Sequence, residues 1–398
     1  MKTAGIICEY NPFHRGHAWQ IAEARRLLGA ETAVVCAMSG SFVQRGDFAA
    51  VRAYARAEAA VRGGADLVLE LPLPWAISSA EGFARGGVMT LAATGLVDTL
   101  VFGSECGDAA SLRHAAEALL REDFPAVLRG ELAKGLSFAA ARESAARALI
   151  GDDADVLACP NDILGVEYCK ALIESGSSIA PLALPRRAVG HDEGAAEGYA
   201  SASYIRALLV RGEDASAYMT EESAVIYERE KKAGRAPVMM KNVERAILAR
   251  LRAMGEEDFA LYDSGNEGLY RRFAEAAHTA PSIDALLGAV KTKRYAYARL
   301  RRMLLAAYLG VTAADMPRRM PYLRVLSFNE RGRAVLKRMK RTAHAPVLIK
   351  SADVRALGEQ AQRLFSLTAR AEDQYVLAYP DLTAASGGSA WTSGPVIV

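Results

Sequence analysis

Apolar positions in the first half of the chain follow two periods in alternation. Residues 4–8, 32–38, 66–71, 98–102 and 179–184 are short apolar runs carrying β-branched residues, the pattern of strands buried on both faces. Between them the spacing turns helical. Residues 16–28 place Ala18, Ile21, Ala22, Ala24, Leu27 and Leu28 on one side, and 51–62, 78–93, most of 108–149 and 161–175 behave alike. Asn11-Pro12, Pro72 with Pro74, and Cys159-Pro160 punctuate the change, and Gly95 suits a C-cap. Strands alternating with helices predict an α/β fold with a doubly wound parallel sheet.

Beyond residue 212 the pattern changes. Residues 243–254, 268–277 and 283–287 keep helical spacing, and no strand–helix–strand unit is evident. The chain is therefore expected to divide into an α/β domain, 1–212, and a mainly α-helical domain, 213–398. Residues 385–393, rich in Gly and Ser, are expected to form a loose tail.

A length of 398 residues supports a real core in each part. No run of eighteen apolar residues occurs, and the first residues enter a strand directly, so a membrane span or secretory leader is not expected. Five cysteines without a Cys-x-x-Cys pair point to buried thiols and a cytoplasmic protein. The net charge of +3 hides an asymmetry. Residues 291–350 carry sixteen Lys and Arg against Asp315 and Glu330, a net +14, which leaves −11 for the rest. The densest cluster, Lys291, Lys293, Arg294, Arg299, Arg301 and Arg302, is interleaved with Tyr295 and Tyr297. Such a stretch suits RNA, with cations on phosphates and rings on unpaired bases.

Candidate chemistry gathers at strand ends, where open α/β sheets bind ligands. The first strand runs into Glu9-Tyr10-Asn11-Pro12-Phe13-His14-Arg15-Gly16-His17, and a helix begins there. Free N–H groups and the helix dipole favour an anion at such a point, two imidazoles add donors, and Gly16 permits close approach. Gly103, at another strand end, is either a turn glycine or a gap that admits a flat ring or a ribose. Asn161 is either a helix cap or an amide that reads a base. Arg186 and Arg187 follow the fifth strand and face solvent or a bound anion. Ser201, Ser203 and Arg206 open a further helix, where hydroxyls, N–H groups and a forked guanidinium also suit phosphate.

The His14-x-Gly16-His17 sequence and the Ser203–Arg206 helix start resemble the two signatures of the nucleotidyltransferase superfamily, whose fold is Rossmann-like. Taken with Met38-Ser39-Gly40-x-Phe42-x-Gln44-Arg45-Gly46, Phe102-Gly103-Ser104-Glu105, Pro160-Asn161 and Thr292-Lys293-Arg294, the whole chain resembles the bacterial tRNA(Met) cytidine acetate ligase family. The resemblance implies activation of acetate by ATP to acetyl-adenylate. The acetyl group then passes to N4 of the wobble cytidine of elongator tRNA(Met), forming N4-acetylcytidine. It implies His14 and His17 as catalytic residues. It also implies an ATP site made by Ile7, Cys8, Glu9, Tyr10, Asn11, Pro12, Phe13, His14, Arg15, Gly16, His17, Ala18, Trp19 and Gln20, with Gly103, Asn161, Arg186, Arg187, Ser203 and Arg206. Mg2+ is expected with ATP, although no acidic cluster marks its ligands. Lys291, Lys293, Arg294, Arg301 and Arg302 are the expected RNA contacts. A small-molecule adenylyltransferase shares the first domain and leaves the basic stretch unexplained; a non-catalytic RNA-binding protein would not need both histidines. Residues 38–47 acquire no role from the sequence beyond a place beside the pocket.

Overall fold

In a computed structural model, residues 2–186, 195–196, 198–263, 265 and 268–398 are described. The expected strands form β1 (Thr3–Cys8), β2 (Ala33–Ser39), β3 (Leu67–Leu71), β4 (Thr99–Ser104) and β5 (Ala180–Pro185). They lie in the order β3-β2-β1-β4-β5 and are all parallel. The connecting helices include α1 (Arg15–Leu28), α2 (Ala53–Arg62), α3 (Ala80–Ala92) and α4 (Pro160–Glu174), followed after β5 by α5 (Ala202–Arg211). Alternate residues of each strand enter different cores. Ala4, Ile6, Val34, Cys36 and Met38 meet α1, α2 and α5, whereas Ile7, Val35, Ala37 and Leu69 meet α3 and α4. Burial on both faces explains the continuous apolar runs.

The second half is largely helical and has its own core, built on residues 238–311 and closed by one long helix. Among its elements are α6 (Glu221–Lys232) and α7 (Tyr297–Leu309). The chain then returns to the sheet, across the division expected at 212. Strand β6 (Leu323–Phe328) pairs antiparallel with β3 and is followed by α8 (Glu330–Thr342). β7 (Val347–Leu348) lies beside β6, α9 (Glu359–Val376) follows, and β8 (Val396–Ile397) also pairs with β6. The sequence hides β6 because Arg324 interrupts its apolar run. That guanidinium is 4% exposed and pairs with Glu70 of β3 at 3.2 Å. Residues 385–393 are likewise tied in: Ala390 is buried and its carbonyl accepts from Arg324 at 2.8 Å. Small residues pack there, so low side-chain volume gave a misleading impression of looseness. No helix among the described residues is long and apolar enough to cross a membrane.

Candidate active site

The strand order reverses between β1 and β4, so their carboxyl ends diverge and leave a crevice. Residues 9–14 cross its floor. Tyr10 adopts φ 47°, a left-handed conformation uncommon for an aromatic residue, and the Asn11–Pro12 peptide is cis. Surrounding contacts fix this path. The Asn11 side chain accepts from the Ala50 N–H at 2.8 Å, and its carbonyl accepts from Arg206 Nη1 at 2.8 Å. Tyr10 and Phe13 are buried edge to face, 5.0 Å between centroids, in the same core as Cys8. Arg15 leaves the crevice and donates to the Met219 carbonyl at 3.1 Å. Ala18, Trp19 and Gln20 are half-buried on the first turns of α1.

His14 is the N-cap of α1. Its Nδ1 accepts from the Gly16 N–H at 3.1 Å, and His17 Nδ1 accepts from the His14 N–H at 3.2 Å. A Cβ on residue 16 would lie 2.9 Å from His14 Cε1, so glycine is needed to keep the ring in place. The rings stack with centroids 3.6 Å apart. Burial lowers the His14 pKa to about 3, helped by Arg186 and Arg206. His17 is lowered by burial, by His14 and by Arg186. Both imidazoles are therefore neutral at pH 7. With Nδ1 accepting in each, the ring proton is assigned to Nε2. The pair presents two uncharged, oriented N–H donors.

The opposite wall is a reciprocal cap. Asp162, buried at the start of α4, accepts from the backbone N–H groups of Glu105 at 2.8 Å and Cys106 at 3.1 Å. Glu105 in turn accepts from Asp162 N–H at 2.9 Å and from the Asn161 side chain at 2.5 Å. Asn161 Oδ1 accepts from Arg186 Nη1 at 2.9 Å. A Cβ on Gly103 would meet Arg186 Cγ at 3.4 Å, an ordinary van der Waals contact, so this glycine lies directly against the arginine stem. Gly103, Asn161 and Arg186 thus meet, and Arg186 also influences both histidines. Arg187 lies outside the described residues. Ser203 accepts from Arg206 Nη2 at 3.1 Å, while Ser201 caps α5 through the Tyr204 N–H at 3.2 Å.

Three features escaped the sequence. Arg56 is 1% exposed. It donates to the Val51 carbonyl at 2.8 Å, to the Ser39 carbonyl at 3.1 Å, and to the Glu9 and Gly40 carbonyls. It therefore clamps the segments that leave β1 and β2, and no sequence signal distinguishes it from other arginines on an alanine-rich helix. Glu105 and Asp162 form the cap just described; the signal was an acid beside each of two strand- or helix-end motifs. Residues 42–48 form a hairpin, Phe42–Val43 against Asp47–Phe48. Phe42 and Phe48 join the helical core, where Phe48 stacks on Tyr375 of α9 at 5.9 Å. The 38–47 block thus docks the second half of the chain beside the crevice.

The basic stretch separates into three groups. Lys291, Lys293 and Arg294 are exposed. Arg301 and Arg302 are half-buried, and Arg301 pairs with Asp47 of the hairpin at 2.6 Å. Helix α8 is fixed at the other end of the sheet: Asn329 N–H donates to the Asp66 carbonyl at 3.1 Å and Thr342 to the Thr94 carbonyl at 2.9 Å. Its exposed cations, Arg333, Lys337, Arg338, Lys340 and Arg341, are therefore remote from the crevice.

Residues 1–389 match the HIGH Nucleotidyl Transferase family. The chain is 38% identical to the tRNA(Met) cytidine acetate ligase of Caldanaerobacter subterraneus subsp. tengcongensis, covering 95% of this chain and 96% of that one. It is 35% identical to the ligase of the same name from Acetivibrio thermocellus, with 100% of both chains covered. A crystal structure of Thermotoga maritima TmcAL bound with alpha-thio ATP superposes with a TM-score of 0.92 at 32% identity, over 100% of this chain and 99% of that one. Histidine signature, crevice and full-length similarity agree: the chain belongs to the tRNA(Met) cytidine acetate ligase family of HIGH nucleotidyl transferases.

Proposed function

We propose that this protein joins acetate to ATP as acetyl-adenylate and transfers the acetyl group to N4 of the wobble cytidine of elongator tRNA(Met), forming N4-acetylcytidine. The observation that carries the reading is the pair of neutral imidazoles with fixed tautomers beside Arg186 and Arg206. A carboxylate oxygen of acetate attacks the α-phosphorus, and the bond to the bridging oxygen of pyrophosphate breaks. His14 and His17 donate through Nε2–H to the oxygens on which charge grows, and Arg186 and Arg206 hold the triphosphate. The crevice between β1 and β4 takes the nucleoside, with Gly103 and Asn161 on its wall. The cytidine N4 then attacks the acetyl carbon, AMP departs, and N4 loses a proton. No enzyme nucleophile is needed. Among the described residues no group of three or more His, Cys, Asp or Glu side chains is placed to hold a metal. Mg2+ would be carried on phosphate oxygens and water.

Lys291, Lys293 and Arg294, with Arg301 and Arg302 behind them, are the proposed RNA contacts. The 1–212 part supplies the nucleotide chemistry and 213–398 the tRNA surface, held together by the shared sheet. The test is pyrophosphate release from ATP with a panel of carboxylates, followed by nucleoside analysis of tRNA incubated with labelled acetate. Acetate-stimulated release and labelled N4-acetylcytidine are expected. Release driven by a phosphorylated metabolite, with unlabelled tRNA, would replace this reading with cofactor synthesis.

A further inference from the structure

The 42–48 hairpin meets both the nucleotide loop and the basic stretch. On one side the Gln44 N–H donates to Glu9 Oε1 at 2.7 Å. On the other, Gly46 at φ +74° lies so close to α7 that a Cβ there would be 2.5 Å from the Arg301 carbonyl carbon and the Arg302 nitrogen. Asp47 pairs with Arg301 at 2.6 Å, with the two side chains 41% and 23% exposed, so the pair is partly open to solvent. Arg45 stands exposed at the hairpin tip between these contacts. The charges are mutually close. Arg206 has its pKa lowered chiefly by burial, is supported by Glu9 and Asp47, and is opposed by Arg45 and Arg301. Arg206, Arg45 and Arg301 therefore share one electrostatic neighbourhood with Glu9 and Asp47.

We propose that Arg45 and Arg301 form a phosphodiester-binding subsite adjoining the ATP site, and that its ligand is the RNA backbone phosphate next to the acceptor nucleotide. This rests on the reading of the protein as an RNA-acylating enzyme. Two sources of phosphate are chemically similar, the triphosphate tail of ATP and the RNA backbone. The RNA is favoured because Arg301 belongs to the same basic stretch as the exposed Lys291, Lys293 and Arg294 and is tied to the hairpin through Asp47, whereas the histidine loop already has Arg186 and Arg206. A base offered to the adenylate must bring its own phosphate to the rim, and the hairpin tip is the cationic part of that rim that leads to the basic stretch. Asp47 holds Arg301 in place while the subsite is empty, and a phosphate replaces it as partner. The clamped aromatic base of the hairpin, Phe42 and Phe48 against Tyr375, keeps the tip from yielding.

The experiment compares full-length wild-type protein, Arg45→Gln and Arg45→Lys. It measures tRNA binding by anisotropy from low to moderate salt, and the KM for ATP in acetate-dependent pyrophosphate release. For Arg45→Gln the slope of log affinity against log salt is expected to fall by about 0.7, one single-strand phosphate contact. Arg45→Lys, which keeps the charge, retains most of the slope. A wild-type slope in Arg45→Gln overturns the subsite alone. An unchanged slope with a raised KM for ATP reassigns the arginine to the triphosphate and overturns the RNA source. Wild-type protein that releases pyrophosphate with acetate and binds no tRNA overturns the functional reading, and the subsite with it.

Discussion

The two nitrogens of His17 have separable jobs, and substitution can remove one without the other. Nδ1 accepts the His14 N–H at 3.2 Å, closing the first turn of α1, while Nε2 carries the donor. In His17→Asn the amide oxygen falls near the place of Nδ1, so the helix start keeps its acceptor and the distal donor is lost. In His17→Gln the longer side chain places an N–H near the former Nε2 and gives up the acceptor. Losing one preorganised donor to transition-state charge costs about 2.7–4 kcal/mol, or roughly 10² to 10³ in rate. Losing a cap acceptor costs about 1 kcal/mol of stability. His17→Asn should therefore release pyrophosphate roughly 10² to 10³ times more slowly, with near-normal urea stability. His17→Gln should be less stable by about 1 kcal/mol and lose less rate. ATP affinity should change little in either, because the donor acts mainly as charge develops. A quenched-flow burst of pyrophosphate and a urea titration measure both quantities. Wild-type release by His17→Asn would show that the Nε2 donor does not take part, and the mechanism would have to be rebuilt around the arginines.

Further outcomes are expected. Because the His14 pKa is depressed to about 3 and that of His17 is also lowered, an unfolded chain protonates near the usual 6.5 while the native one does not. The two histidines should thus lower stability as pH falls below about 6.5, by up to about 1.4 kcal/mol per pH unit each, and a His14→Asn variant should show a shallower acid slope in urea midpoints. Their depression also predicts that adenylation has no histidine limb between pH 6 and 8; a rate that halves near pH 6.5 and traces to His14 would contradict neutral donors. Truncation after residue 212 should give a fragment that aggregates, since it removes Ile226, Tyr227, Leu323, Val325 and Phe328 from the cores around the sheet, on the order of 10 kcal/mol of burial. A monomeric 1–212 fragment with a cooperative melt would show that β6 is dispensable.

The parallel part of the fold was legible because each of its strands is buried on both faces, so one run of residues such as 33–39 or 67–71 carries the whole signal. The geometry of the histidine loop was legible for a different reason: His14, Gly16 and His17 are close in sequence, and their contacts depend on local helix geometry. What remained hidden depends on distant partners. Strand β6 contains Arg324, which looks like one more cation of the basic stretch until Glu70, Tyr54 and the Ala390 carbonyl are brought to it. Arg56 has no feature that separates it from Arg62 in the same helix, yet one is buried among carbonyls and the other is a surface partner of Glu58. The basic stretch was legible as composition and misleading as a surface, because periodicity cannot reveal that α7 and α8 lie at opposite ends of the sheet.

Burial first, and the neighbouring cations second, keep the histidines neutral. Two imidazolium rings stacked at 3.6 Å would repel by about 5 kcal/mol even at an effective dielectric constant near 20, before any contribution from Arg186 and Arg206. Permanent charge is instead supplied by guanidinium groups, which keep their protons across the physiological range. Arg206 is anchored to the Asn11 carbonyl and Ser203, and Arg186 to Asn161, so the direct hydrogen-bond partners of each are neutral oxygens, while Glu9 and Asp47 act on Arg206 only through space. The imidazoles then contribute direction: each Nδ1 is fixed to the backbone, and each Nε2–H is set by the helix start. On the proposed function, the arginines would attract a polyphosphate and the imidazoles would answer growing charge with donors that need no proton from solvent. The proposed reaction, in which a carboxylate displaces pyrophosphate, would then need no change of protonation on the enzyme, since neither group requires a general acid at neutral pH.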